Sequence, residues 1–154
     1  MVTICRLEDS ALKSGISDTI LRALPEWFGI ESSIIEYVEG VVPSKFYVAH
    51  HEDAPVGFLS ITTHNIHTSE IYVMGILEPF HRQGVGRLLL NAAEDDLRKE
   101  NVRFLMVKTL GSSHPDVHYA RTREFYAHSG FYPLEEIPEV WGPANPCLIM
   151  VKAL

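Results

Sequence analysis

The residues "HRQGVGR" (81–87) follow an apolar run and precede an amphipathic one. Glycines at 84 and 86 lie between arginines at 82 and 87. A helix N-terminus carries unpaired N–H groups and partial positive charge. Glycines ahead of it let an anion approach the backbone closely. The first acidic residue afterwards is Glu94, so the opening turn leaves that positive end to a ligand. The same residues would also serve a tight connector that holds nothing. Two other phosphate loops do not fit. No GxxxxGK[ST] is present, and position 89 is Leu89 where a dinucleotide fingerprint needs a third glycine.

Other candidates carry less by themselves. Gly75 interrupts a bulky apolar strand, which marks a bulge or a close approach of backbone or ligand. Glu70, taken alone, is a strand-end carboxylate, and Tyr126 a core-edge aromatic. His64 and His67 are three apart at a strand end, and His114 and His118 straddle Pro115. Neither pair has the supporting cluster a zinc site wants, so no metal is expected. Cys147 is weighed as an acyl carrier.

The elements that must position these residues follow from periodicity. "TICRL" (3–7) alternates as a strand, and Ser10 to Leu24 is a helix with Ile16, Ile20, Leu21 and Leu24 on one face. "SSIIEYVEG" is a second helix, stopped by Gly40 and Pro43. "KFYVAH" and "PVGFLSITTH" form a hairpin around "HEDA", and "EIYVMGIL" is a buried strand. A helix from Val85, then strand "RFLMVKTL", makes a strand–helix–strand unit with a right-handed crossover. "DVHYARTREFYAHSG" is the last helix, and "FYPLEE" and "CLIMVKAL" are closing strands. The order β-α-α-β-β-β-α-β-α-β-β predicts one mixed α/β domain over 1–154.

Composition bounds the class. The chain of 154 residues is long enough to bury a core without disulfides or structural metal. Two distant cysteines, no leader-like start and no long apolar run point to a soluble cytoplasmic protein. A net charge of −7 argues against nucleic-acid and anionic-membrane partners, and a cationic small substrate would suit that field better.

"HRQGVGR" after this strand resembles motif A of the GNAT superfamily of N-acetyltransferases, [QR]-x-x-G-x-[GA]. "FYAHSGF" (125–131) resembles the family's Y-x-x-x-G-F, filled by Tyr126, Gly130 and Phe131. The element order is also similar, and "LPEWFGI" and "WGPANPCLIMVK" look like segments of a bacterial subgroup without a defined substrate. The resemblance implies a mostly antiparallel sheet of about seven strands with about four helices. It implies acetyl-CoA as cosubstrate, its pyrophosphate on Arg82, Gln83, Gly84, Val85, Gly86 and Arg87. Met74, Gly75 and Ile76 would contact pantetheine through their backbone. Tyr126 would be the general acid and Glu70 a general base, as in the histone acetyltransferase branch. Trp27, Phe28 and Trp141 would flank a small-molecule or peptide amine, and a homodimer is a further implication. His81 stands at the [QR] position and is expected to act through its backbone. Tyr119 replaces a frequent asparagine. The expected activity is transfer of acetyl to a primary amine by direct attack in a ternary complex. The alternative is a non-catalytic acetyl-CoA-binding sensor or interaction module.

Overall fold

A computed structural model describes residues 1–154. The elements are β1 (Val2–Leu7), α1 (Ser10–Arg22), α2 (Glu31–Gly40), β2 (Lys45–His51), β3 (Ala54–Thr63), β4 (Thr68–Ile76), α3 (Val85–Lys99), β5 (Phe104–Leu110), α4 (Val117–His128), β6 (Tyr132–Ile137) and β7 (Cys147–Ala153). A single 3-10 turn, Glu78–Phe80, separates β4 from the glycine loop.

Local chemistry explains the boundaries. Asp9 caps α1 by accepting from the Leu12 amide, and Asp116 caps α4 by accepting from His118 and Tyr119. The sequence predicts α1 through Leu24; the helix ends at Arg22, and Ala23 and Leu24 close it with tighter bonds to Ile20 and Leu21. Leu24 precedes Pro25, which disfavours helical backbone there. The β2–β3 hairpin turns through Glu52 (φ 50°) and Asp53 (φ 66°), the double positive φ of a type I′ turn.

All seven strands form one sheet in the order β1-β2-β3-β4-β5-β7-β6. Only β4 and β5 pair in parallel; α3 is their crossover. One apolar cluster lies under α3 and α4, with Leu59, Ile71, Leu89, Leu105 and Tyr126 among its members. A second lies under α1 and α2, with Ile20, Leu21, Phe46, Phe58 and Val73.

The feature that makes a site is a fork. Pairing of β4 with β5 stops at Ile71–Val107, although β4 runs on along β3 and β5 along β7. Ser60 pairs with Val73 but Ile61 pairs with Ile71, so Tyr72 is an extra, bulged residue. A bulge increases local twist and ends pairing, which turns β4 away from β5 at this point. Gly75 is not the bulge. A Cβ there would lie 3.1 Å from Ile20, 3.2 Å from Leu24 and 3.3 Å from Phe58, so this glycine serves close packing of α1 on the sheet.

Candidate active site

The fork opens into a cavity of about 1040 Å³ lined by β4, β5, the start of α3, α4 and the α1–α2 loop. Strand register decides which backbone groups face it. The Leu77 amide donates to Val56, which marks 56/77 as a hydrogen-bonded pair. Antiparallel pairs alternate, so Phe58/Gly75 is also hydrogen-bonded, whereas Leu59/Met74 and Gly57/Ile76 are not. Met74 and Ile76 therefore turn their peptide groups toward the fork. Gly75 uses its own on β3, which removes it from the backbone trio that resemblance implied.

The glycine loop ends in an open helix start. Gly84 is the N-cap of α3 with φ 80°, no side chain caps the helix, and its first turn holds no acid. A Cβ on Gly84 would meet nothing within 4 Å, so glycine is required by backbone conformation and the space ahead of it is free. The Leu88 amide bonds to the Gly84 carbonyl, whereas those of Val85, Gly86 and Arg87 begin the helix as unpaired donors. Gly86 has a different reason: a Cβ would come within 3.0 Å of the Phe125 ring and 3.2 Å of Ile76, so it seats α3 against α4. Arg82 and Arg87 flank this end and line the cavity, as does Arg121 from α4. Arg87 Nη2 donates to the His128 carbonyl at 3.1 Å. Gln83 donates to the Pro79 carbonyl and does not line the cavity. This chemistry, unpaired amides and guanidinium groups around free space, fits a pyrophosphate.

His81 departs from the expectation of a backbone role. Its Nε2 lies 2.5 Å from the Ile76 carbonyl oxygen, so the ring ties the loop to the end of β4.

Tyr126 lines the cavity while being only 4% exposed. Its ring is wedged between Phe125 and Phe131, with centroids at 5.4 and 5.5 Å. Burial pushes its phenol well above the ordinary tyrosine range, and the neighbouring Tyr119 and Tyr37 add to this. The group stays protonated through neutral and mildly alkaline pH, as a proton donor must.

Glu70 is not an exposed strand-end carboxylate; it is 7% exposed. Its Oε1 lies 2.5 Å from His64 Nε2 and 3.5 Å from Lys108 Nζ. Glu70 itself does not line the cavity, but Lys108 does. The carboxylate thus stands one residue behind the wall. Lys108 was signalled in the sequence only as a lysine interrupting an apolar strand.

The three aromatic residues expected on the acceptor side, Trp27, Phe28 and Trp141, all line the cavity. Trp27 is fixed from several sides. Its ring lies edge-on to His81 at 5.4 Å and His118 at 4.8 Å. Its Nε1 donates to Thr122 Oγ1 at 3.2 Å, and its carbonyl accepts from the Tyr119 hydroxyl at 2.7 Å. Tyr119 therefore fastens the α1–α2 loop to α4. Phe28, Tyr37 and Tyr72 continue the aromatic wall edge to face, with centroids 6.0 and 5.4 Å apart. Cys147 is fully buried, and burial pushes its thiol up, away from the thiolate an acyl carrier needs.

Comparison with known proteins agrees with this geometry. Residues 14–131 match the model of the "Acetyltransferase (GNAT) family". An uncharacterized N-acetyltransferase of Chlorobaculum tepidum is 28% identical over 133 residues, 79% of this chain and 76% of that protein. A GNAT-family protein of Desulfovibrio desulfuricans superposes with a TM-score of 0.82 at 19% identity, covering 99% of both chains. An aminoglycoside 6'-N-acetyltransferase solved with coenzyme A superposes with a TM-score of 0.74 at 19% identity, over 99% of this chain and 96% of that one. At such identities these two structures show the shared fold. The matched family model spans most of the sheet, the glycine loop and the last helix, and the chain belongs to the GNAT family of acetyltransferases.

Proposed function

We propose that the protein transfers the acetyl group of acetyl-CoA to a primary amine by direct attack in a ternary complex. The observation that carries this is the junction of two open backbone surfaces: the uncapped start of α3 at Gly84 and the edge of β4 left without a β5 partner at Met74 and at the Ile76 amide. The amides of Val85, Gly86 and Arg87, with Arg82 beside them, take the pyrophosphate. Pantetheine lies along β4 in the fork as an added strand would. A β4 amide then faces the thioester carbonyl, where it stabilises developing oxyanion charge.

The amine enters past Trp27, Phe28 and Trp141. An alkylammonium has a pKa of roughly 10.4, so it must lose a proton before attack. Glu70 accepts that proton through a water beside Lys108, because the carboxylate stands behind the cavity wall. Tyr126 hydrogen-bonds the departing thiolate and protonates it. One amide bond forms, one thioester bond breaks, and one proton is released when the acceptor starts as an ammonium. Acetyl-CoA is the substrate and CoA the product. The two unpaired cysteines suit a reducing cytoplasm.

The test couples binding to turnover. Saturating acetyl-CoA should raise the melting temperature, and an amine panel followed by mass spectrometry should yield an acetylated product. Stabilisation without turnover on any amine would favour a binding module instead.

A further inference from the structure

The two halves of the cavity differ in charge. Arg82 and Arg87 flank the glycines at the α3 start, as phosphates require, and Arg121 lines the cavity from α4. Along the fork, Phe28, Tyr37 and Tyr72 supply aromatic rings, and of the β4 and β5 residues that line the cavity only Lys108 is charged. The chain carries 20 Asp and Glu residues, yet Glu124 alone lines the cavity. Glu124 lies on α4 one turn before His128, whose carbonyl holds Arg87, so it belongs to the cofactor half. The overall negative charge, which suggested a cationic substrate, is not the charge the acceptor meets.

Lys108 is the first β5 residue beyond the last β4–β5 rung. Its ammonium is at the outer limit of contact with Glu70, 3.5 Å, whereas His64 holds the same oxygen at 2.5 Å. It makes no other hydrogen bond, so donors remain free at the cavity wall. The side chain is 34% exposed where it lines the cavity, so the ammonium can take an anionic partner there. A second ammonium on the acceptor would find no carboxylate among the β4 and β5 residues of the cavity wall and would face Lys108.

We propose that the acceptor is an amine of the amino-acid class, carrying a carboxylate beside an apolar body. The carboxylate pairs with Lys108, and the body packs on Phe28, Tyr37 and Tyr72. This rests on the reading of the site as an amine acetyltransferase.

The experiment measures kcat and KM at saturating acetyl-CoA for matched pairs, L-phenylalanine against phenethylamine and L-leucine against isoamylamine, with spermidine and kanamycin as polycations. The wild type is compared with Lys108→Met and Lys108→Glu. We expect the carboxylated member of each pair to lead by about tenfold or more in kcat/KM, chiefly through KM. Lys108→Met should bring each pair to parity, and Lys108→Glu should move the preference toward spermidine. Retained stabilisation by acetyl-CoA shows that each variant is folded. Efficient turnover of phenethylamine or spermidine in preference to the amino acids overturns this inference alone. So does a carboxylate preference that survives Lys108→Met. Stabilisation by acetyl-CoA without acetylation of any amine overturns the transferase reading, and this inference with it.

Discussion

His64 Nε2 and Glu70 Oε1 are 2.5 Å apart at the closed end of the β4–β5 fork. The His64 side chain is 41% exposed and the Glu70 side chain 9%, so the pair joins a buried carboxylate to solvent. Lys108 Nζ reaches the same carboxylate oxygen from β5, at 3.5 Å.

A pH–rate profile on one good amine substrate tests the role of this pair. Wild-type kcat/KM should rise with pH and then level off. Glu70→Gln should be slow near neutral pH and partly recover at high pH, where more amine is already deprotonated. If Glu70→Gln mainly raises KM, the carboxylate attracts substrate rather than protons. Superimposable profiles for wild type and Glu70→Gln would remove Glu70 from the mechanism.

Tyr126→Phe should keep acetyl-CoA affinity, because the glycine loop is untouched. Its kcat should fall by about 10²-fold, the loss expected for one positioned acid. Single-turnover measurements read the chemical step directly. A wild-type rate in that step would place the acid elsewhere.

The buried phenols make stability depend on alkaline pH. Burial raises Tyr126 and Tyr119 above the ordinary value of roughly 10, so the folded chain holds these protons more tightly than the unfolded one. Their contribution is complete below about pH 10 and is lost as pH rises through the folded values. Melting temperatures between pH 8 and 11 should fall at the upper end. Tyr126→Phe, which has no proton to lose, should fall less steeply. Equal slopes would show that this phenol ionises as readily in the folded chain as in the unfolded one.

At Gly84 the cost of substitution is conformational. A β-branched residue at φ 80° is strained although the space is open. Gly84→Val should reorient the first amides of α3 and abolish most of the stabilisation by acetyl-CoA. For the wild type that stabilisation is about 2.7 kcal/mol at 100 times the dissociation constant. A full thermal shift in Gly84→Val would dissociate this loop from pyrophosphate binding.

The order of the strands and helices was legible because apolar periodicity and turn residues are local signals. The glycine loop was legible for the same reason: its chemistry lies in consecutive residues. What escaped was chemistry assembled across the sheet. Nothing near Glu70 in sequence says that Lys108 approaches it from β5, since parallel register is set by the whole crossover. His64 was weighed with His67 as a metal pair, and the hairpin instead returns it to Glu70. Gly75 was legible as special but not its reason, which depends on α1 packing against it. The bulge falls at Tyr72, where side-chain type carries no signal.

The central claim is that one groove takes acetyl-CoA and passes its acetyl group to an amine. The most direct measurement uses acetyl-CoA carrying ¹³C in the acetyl group, an amine panel including amino acids, and mass spectrometry of products alongside free CoA thiol. We expect a labelled acetylamine formed in equal amount with CoA, abolished in Gly84→Val and slowed in Tyr126→Phe. Release of CoA without a labelled amine, or stabilisation by acetyl-CoA with no release at all, would contradict it.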